Sequence, residues 1–241
     1  MKNTLRTFTL AALSTLFITP AFAADITVAT AAGYRKPMNE IYTAFTDATG
    51  IKVESAFGNI KQIEAQARQN SDIQMLIGDW DFIKPMGFSE NHQKLGQGKL
   101  ILIAPKGSTL TNIDDLTAES MQRIAIGDRK STIYGKAAIE CLTDYKILGS
   151  VDAKLMQVST LPQVSTYVLT KEVDAGFVNL SEAMAHADKF SDPIEMPQSC
   201  YRPIDLSIVA IDGRDSVEGK VLLEFLASDS TKEILKRHGL N

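Results

Sequence analysis

A group of polar, cationic and aromatic residues lies in loops that follow predicted strands, where they could bind a small negatively charged molecule. Arginine can hold a carboxylate or a phosphate-like group through two parallel hydrogen bonds. Tyrosine and asparagine side chains, together with backbone N–H groups in the turns, supply further donors. We therefore expect these loops to form an anion-binding site. Its candidate residues are Gly33, Tyr34, Arg35, Asn59, Ile60, Lys61, Arg129, Tyr134 and Asn179.

The sequence contains few residues in patterns that would support catalysis or metal binding. The histidines, His92, His186 and His238, do not occur in an H-E-x-x-H motif, and the sequence has neither a G-x-S-x-G turn nor a G-x-x-x-x-G-K-[ST] loop. Asp79 and Asp81 flank the only tryptophan, but no histidine or metal motif accompanies them. We therefore predict that the protein is not an enzyme and that it uses no cofactor and no metal ion.

The first 23 residues are typical of a secretory signal peptide. Lys2 and Arg6 supply positive charge, an apolar run follows, and the small residues Ala21 and Ala23 stand at positions −3 and −1 of a cleavage site. We expect cleavage after Ala23 and a periplasmic mature protein. No later apolar run reaches the length that spans a membrane.

Composition narrows the function classes further. The chain has 241 residues and a formal charge of −4, which argues against nucleic-acid binding, because such binding depends on basic surface. The two cysteines, Cys141 and Cys200, match no zinc pattern. In an exported protein they could form one disulfide or remain two separate buried thiols, and the sequence leaves both alternatives open.

Strand and helix signals alternate from residue 24 to the C-terminus, which predicts an α/β fold with parallel sheets covered by helices. Predicted strands occupy 25–31, 51–57, 72–77, 99–104, 123–126, 155–158, 175–178 and 204–211. Predicted helices run from 37 to a stop at Gly50, over 60–69, 134–148 and 162–171, and twice within 217–238.

Two apolar strands, 99–104 and 204–211, are interpreted as crossings between two lobes. The first lobe is predicted to contain residues 24–104 and 205–241, and the second lobe, 105–204, is inserted into it. Open α/β sheets bind ligands beyond the carboxyl ends of their strands. The candidate loops should therefore face a cleft between the lobes.

Five segments of the chain resemble the molybdate-binding proteins that supply ABC importers. They are ITVATAAG (26–33), FTDATGIKVESAFG (45–58), LILIAPKGS (100–108), IAIGD (124–128) and VDAGFVNLSEA (173–183), in that family's order. The resemblance implies a class II periplasmic binding protein, which is a monomer of two lobes joined by a hinge with two crossing strands. It also implies that the ligand is a small anion, such as molybdate, tungstate or a related anion, and that a membrane permease receives it.

The predicted site departs from that family's pattern at several positions. The family carries a serine after the first strand, where this chain has Gly33, and often a tyrosine in the fourth loop, where this chain has Asn179. The sequences Gly58-Asn59-Ile60-Lys61 and Ile133-Tyr134-Gly135 replace a hydroxyl-rich run and a Pro-Ala-Gly turn. We therefore expect molybdate to be bound more weakly than by a relative that has the serine and the tyrosine.

The loop cations add to this departure. Arg35, Lys61 and Arg129 would bring positive charge close to the cleft if they point inward. A pocket with such charge would suit a carboxylate or a larger organic anion as well as a metal oxyanion. Molybdate is therefore one candidate ligand among several.

Two other classes of function fit parts of the sequence. Methionines are scattered through the chain, which would suit a binder of a metal ion or a metal complex, although they lack M-x-x-M clustering. A ligand sensor that docks on a membrane receptor would use the same closing motion as a transport protein.

Overall fold

The computed structural model describes residues 25–240, and these residues form two lobes, each built on a five-stranded mixed sheet. The predicted signal peptide lies outside the described residues. The strands are β1 (Ile26–Ala31), β2 (Val53–Gly58), β3 (Ile73–Asp79), β4 (Gln93–Gly98), β5 (Leu100–Ile103), β6 (Ile124–Gly127), β7 (Leu155–Val158), β8 (Ala175–Asn179), β9 (Ile194–Glu195) and β10 (Ile204–Ala210). The helices are α1 (Arg35–Thr49), α2 (Ile60–Gln69), α3 (Trp80–Ile83), α4 (Ile133–Asp144), α5 (Leu148–Val151), α6 (Leu161–Leu169), α7 (Leu180–Ala185), α8 (Val217–Leu226) and α9 (Asp229–Arg237).

The two sheets have matching topologies. The first sheet has the order β2-β1-β3-β10-β4, and the second has the order β7-β6-β8-β5-β9. In the first sheet β1 runs parallel to β2 and β3, and in the second β6 runs parallel to β7 and β8. The carboxyl ends of β1 and β2 and those of β6 and β7 therefore lead into loops that can meet between the lobes.

Local sequence explains the helices that flank the cleft. In α1 the apolar residues Met38, Ile41 and Phe45 recur at helical spacing and are fully buried. The helix ends at Gly50, whose φ of 76° is a left-handed conformation that glycine adopts without strain. Asn59 and Gln62 form a reciprocal capping box that starts α2 at Ile60.

Two short connections join the lobes. Lys99 alone separates β4 of the first sheet from β5 of the second, and residues 196–203 lead back from β9 to β10. The apolar strand predicted at 99–104 therefore belongs to the second sheet, where Leu100 pairs with Asn179 of β8, although the predicted first lobe extended to 104. The other lobe bounds stay a prediction.

A disulfide joins Cys141 of α4 to Cys200 in the second connection. Of the two alternatives that the sequence left open, the structure has the bridged one. Within residues 25–240, no helix combines the length and the apolar character that a membrane span requires.

Candidate functional site

A small pocket lies between the lobes, where the segments after β1, β2, β6 and β7 come together. It is lined by Ala31, Ala32, Gly33, Tyr34, Gly58, Asn59, Ile60, Thr132, Ile133, Tyr134, Thr160 and Leu161. None of these lining residues carries a formal charge. Any anion held here would therefore be held by neutral groups.

The walls of the pocket are the first turns of helices. Asn59, Thr132 and Thr160 directly precede α2, α4 and α6, and a single 3-10 turn, Ala32–Tyr34, leads into α1. The first N–H groups of a helix have no partner within the helix, and they carry partial positive charge. In α4 the Thr132 hydroxyl accepts the N–H of Gly135 at 3.1 Å, which leaves the N–H groups of Ile133 and Tyr134 without an intrahelical partner.

The two lobes are in direct contact around the pocket, so the structure is a closed form. The Ile60 N–H at the start of α2 donates to the Ser131 carbonyl of the second lobe at 3.0 Å. The Asn59 side-chain amide donates to the Ser159 carbonyl at 3.1 Å. Both bonds cross the cleft, and both would break if the lobes separated.

Two buried tyrosines, one from each lobe, meet at one wall of the pocket. The hydroxyls of Tyr34 and Tyr134 lie 3.0 Å apart, and their rings pack edge to face with centroids 6.2 Å apart. A Cβ atom at Gly98 would collide with the Tyr134 hydroxyl, so a glycine at this position lets the ring insert. Burial raises the pKa of both phenols above the ordinary value of 10.0, and both are neutral at physiological pH.

Asn179 connects the lobes and does not line the pocket. Its side-chain oxygen accepts the Glu182 N–H at 2.8 Å and so starts α7, while its amide donates to the Gly33 carbonyl at 2.8 Å. A Cβ atom at Gly33 would lie 2.9 Å from Leu161 Cδ2 and 3.3 Å from Asn179 Nδ2. A serine at position 33 would therefore require the Leu161 side chain to move.

The three candidate cations all lie away from the pocket. Lys61 is exposed and pairs with Glu64 at 3.0 Å, and Arg129 pairs with Asp152 at 2.9 Å. Arg35 is exposed, with its guanidinium 4.2 Å from the centre of the Phe57 ring. The hypothesis that these residues bring positive charge to the ligand has no support in their positions.

Several lining residues were not named individually as candidates, although most of them lie in the loops that were expected to face the cleft. Gly33, Tyr34, Asn59, Ile60 and Tyr134 were predicted and do line the pocket. The additional lining residues are Ala31, Ala32, Gly58, Thr132, Ile133, Thr160 and Leu161. Thr132 and Thr160 carried a usable signal, because a threonine directly before a helical pattern is a typical N-cap.

An acidic residue lies near the tyrosine wall. Asp79 ends β3 with 3% of its surface exposed, and it accepts the Asp205 N–H at 2.9 Å. Burial raises the Asp79 pKa to about 6, although the hydrogen bond from Asp205 acts in the opposite direction. Across residues 25–240, no three His, Cys, Asp or Glu side chains come together as a metal site.

Two sheet-based lobes, two connecting segments and a pocket walled by helix N-termini define the two-lobed fold of a solute-binding protein. The chain belongs to the family of bacterial extracellular solute-binding proteins, because the model of that family matches residues 26–241.

Comparison with individual proteins shows which members of this family the chain is similar to. It is 27% identical over 228 residues to the molybdate-binding protein ModA of Rhodobacter capsulatus, with 91% of this chain and 89% of that protein covered. The periplasmic molybdate-binding protein of Azotobacter vinelandii superposes with a TM-score of 0.80 at 20% identity, covering 90% of this chain and 98% of that one. PEB3 with bound L-phospholactate superposes with a TM-score of 0.72 at 18% identity, covering 89% and 98%. The chain is a divergent relative of the ModA proteins.

Proposed function

We propose that the protein binds a small oxyanion between its lobes and delivers it to the permease of an ABC importer. One observation carries this proposal: the N-termini of α2, α4 and α6 converge on a pocket that no charged side chain lines. Helix N-termini bind anions through N–H groups and through the helix dipole. Such donors can hold an anion without burying a cation.

The size and lining of the pocket favour a compact anion of the molybdate or tungstate kind. The space open to the centres of water-sized groups is only about 30 Å³, which is enough for a few atoms and not for a large organic anion. Ile60, Ile133 and Leu161 offer no polar partner to the functional groups of an organic anion. The relatives named as molybdate-binding support the same ligand class. An organic phosphate, as in the PEB3 complex, is the next candidate to test.

The biological setting of the proposal follows the family. We propose that residues 1–23 are removed on export, and that the mature chain starts at Ala24 and works in the periplasm as a monomer. It binds no nucleic acid and has no enzymatic activity. The intact mass of the exported protein tests the cleavage site, and a mass that retains residues 1–23 would contradict it.

A thermal-shift panel tests the ligand class. A ligand stabilises the fold by about 2.7 kcal/mol when its concentration is 100 times the dissociation constant. The panel contains molybdate, tungstate, sulfate, phosphate, phospholactate, small carboxylates and copper. We expect molybdate and tungstate to give the largest shifts. A shift with copper alone would contradict the proposal and favour a metal-binding function.

A further inference from the structure

Outside the pocket, the lobes meet at a second polar contact made by Lys36, Glu182 and His186. Lys36 lies in the first turn of α1 in the first lobe, while Glu182 lies in α7 and His186 directly follows that helix in the second lobe. The Lys36 Nζ atom is 3.4 Å from Glu182 Oε1 and 3.2 Å from His186 Nε2. None of the three residues lines the pocket.

Glu182 is a buried carboxylate whose opposite charge comes from the other lobe. Its side chain is only 3% exposed, and its second oxygen accepts a hydrogen bond from Ser165 Oγ at 3.0 Å within the same lobe. Burying a carboxylate without a counter-charge is costly. Lys36 meets that need only while the lobes are closed, so the ion pair stabilises the closed form relative to the open form.

We propose that Lys36, Glu182 and His186 form an interlobe latch that sets the balance between the open and closed forms, and thereby the ligand affinity, without touching the ligand. The latch rests on the proposed function in one respect, which is that the ligand is bound by the closed form. The apparent dissociation constant then rises in proportion as the closed fraction falls. The three residues are positioning residues, because they act through the lobes and not on the ligand.

His186 makes the latch sensitive to pH. As a neutral acceptor, its Nε2 receives a hydrogen bond from the Lys36 ammonium group, while the ring of Phe190 packs against it edge to face. Burial lowers the His186 pKa from 6.5, Lys36 and Lys189 lower it further, and Glu182 and Asp188 oppose them. Protonation would place a second cation against Lys36. Closure is therefore favoured above the ordinary histidine pKa and weakens as the pH falls below it.

Titration calorimetry with molybdate at pH 8 tests the ion pair. We expect Lys36→Met to weaken binding about tenfold, because it leaves Glu182 buried without its counter-charge in the closed form. The double variant Lys36→Met/Glu182→Gln should recover most of this loss, because the buried side chain at position 182 is then neutral and needs no counter-charge. Lys232→Met is the matched control, since it removes an exposed lysine–aspartate pair within one helix. Equal affinity in the wild type and Lys36→Met, or no recovery in the double variant, would overturn the latch.

The pH arm uses His186→Gln, whose amide oxygen can still accept from Lys36. We expect wild-type affinity to fall between pH 8 and pH 5.5, and to fall less in His186→Gln. Protonation of the anion itself cancels in this comparison. Equal pH profiles in the two proteins would overturn the role of His186.

Small-angle X-ray scattering of ligand-free protein separates the latch from the proposed function. We expect Lys36→Met to have a larger radius of gyration than the wild type at pH 8. A wild type that binds no molybdate in the calorimetry would contradict the proposed function only. If the wild type and Lys36→Met then also have equal radii of gyration, the latch is overturned as well.

Discussion

At the pocket, neutral groups surround the space that a ligand would occupy, and Asp79 is the buried carboxylate near its tyrosine wall. Its charge contributes to the raised pKa of Tyr34 and of Tyr134. A charged carboxylate in this place is costly to bury, and it repels an anionic ligand. Its protonation state therefore matters for stability.

We predict that Asp79→Asn raises the free energy of unfolding at pH 8. The folded-state pKa of Asp79 is raised to about 6. The carboxyl group therefore lowers the free energy of unfolding as the pH rises from about 4 to about 6, and the loss is complete above that range. The gain should approach about 3 kcal/mol, and asparagine can still accept the Asp205 N–H. Urea denaturation between pH 4 and pH 8 measures it, with the exposed Asp47→Asn as control. A gain that is equal at pH 4 and at pH 8 would contradict the prediction.

Gly33→Ser tests the packing between the lobes. The new Cβ atom would lie 2.9 Å from Leu161 Cδ2, so the Leu161 side chain must move, and we predict that the variant binds molybdate severalfold more weakly. Gly33→Ser/Leu161→Ala should recover affinity, because it removes the collision. Gly149→Ser, where a Cβ atom meets nothing within 4 Å, is the control. If Gly33→Ser binds as tightly as the wild type, the closed geometry described here is contradicted.

The residue-level site was only partly predictable from sequence. Tyr34 and Tyr134 were expected near the ligand because they follow strand ends, and they line the pocket. The hypothesis that the loop cations contact the ligand is not supported by their positions. The sequence shows that Arg129 lies in a loop, but it does not show that Arg129 pairs with Asp152, which is distant in the chain. The pairing of Lys61 with Glu64, three residues later in the same helix, could have been anticipated.

Among the elements, the helix starts matter most for the site. The first turns of α2, α4 and α6 border one volume, where α4 offers the N–H groups of Ile133 and Tyr134, and N-cap side chains fix where α2 and α4 begin. α2 and β7 have the bounds that the sequence predicted, because a clear cap and a short apolar run mark them. β4 was missed, since Gln93–Gly98 consists of three polar residues, one leucine and two glycines and lacks a strand pattern.

We predict that Thr132→Val lowers the free energy of unfolding by about 1 kcal/mol, as the loss of an N-cap hydroxyl usually does. It should also weaken molybdate binding severalfold, because the first turn of α4 lines the pocket. Chemical denaturation and calorimetry on the same protein measure the two effects. Thr143→Val, in the last turn of the same helix, is the control and should leave the affinity unchanged. Loss of stability without loss of affinity would show that this turn does not contribute to the site.

For the whole molecule, contacts along the second connection hold the lobes in register. The disulfide fastens Cys200 to α4, and Tyr201 accepts the Leu100 N–H at 3.0 Å through its hydroxyl. Arg202 bonds both Asp81 of the first lobe and Glu140 of the second. The sequence permitted this disulfide but could not select it, because pairing depends on how the second connection packs against α4.

We predict that Cys141→Ser/Cys200→Ser lowers the free energy of unfolding by about 4 kcal/mol, the value expected for a closed loop of 59 residues. Urea denaturation measures the change. Addition of dithiothreitol should lower the stability of the wild type and leave the double variant unaffected. A wild type that is equally stable with and without the reductant would contradict the prediction.

The measurement that tests the central claim most directly is titration calorimetry with molybdate on the wild type, Arg35→Ala, Lys61→Ala and Arg129→Ala. A pocket of neutral donors predicts that the wild type binds molybdate, and that each variant binds within about threefold of it, because the three cations lie outside the pocket. A wild type that does not bind molybdate would contradict the proposed ligand. A loss of tenfold or more in any of the variants would show that the ligand is held by charge and would contradict the neutral site.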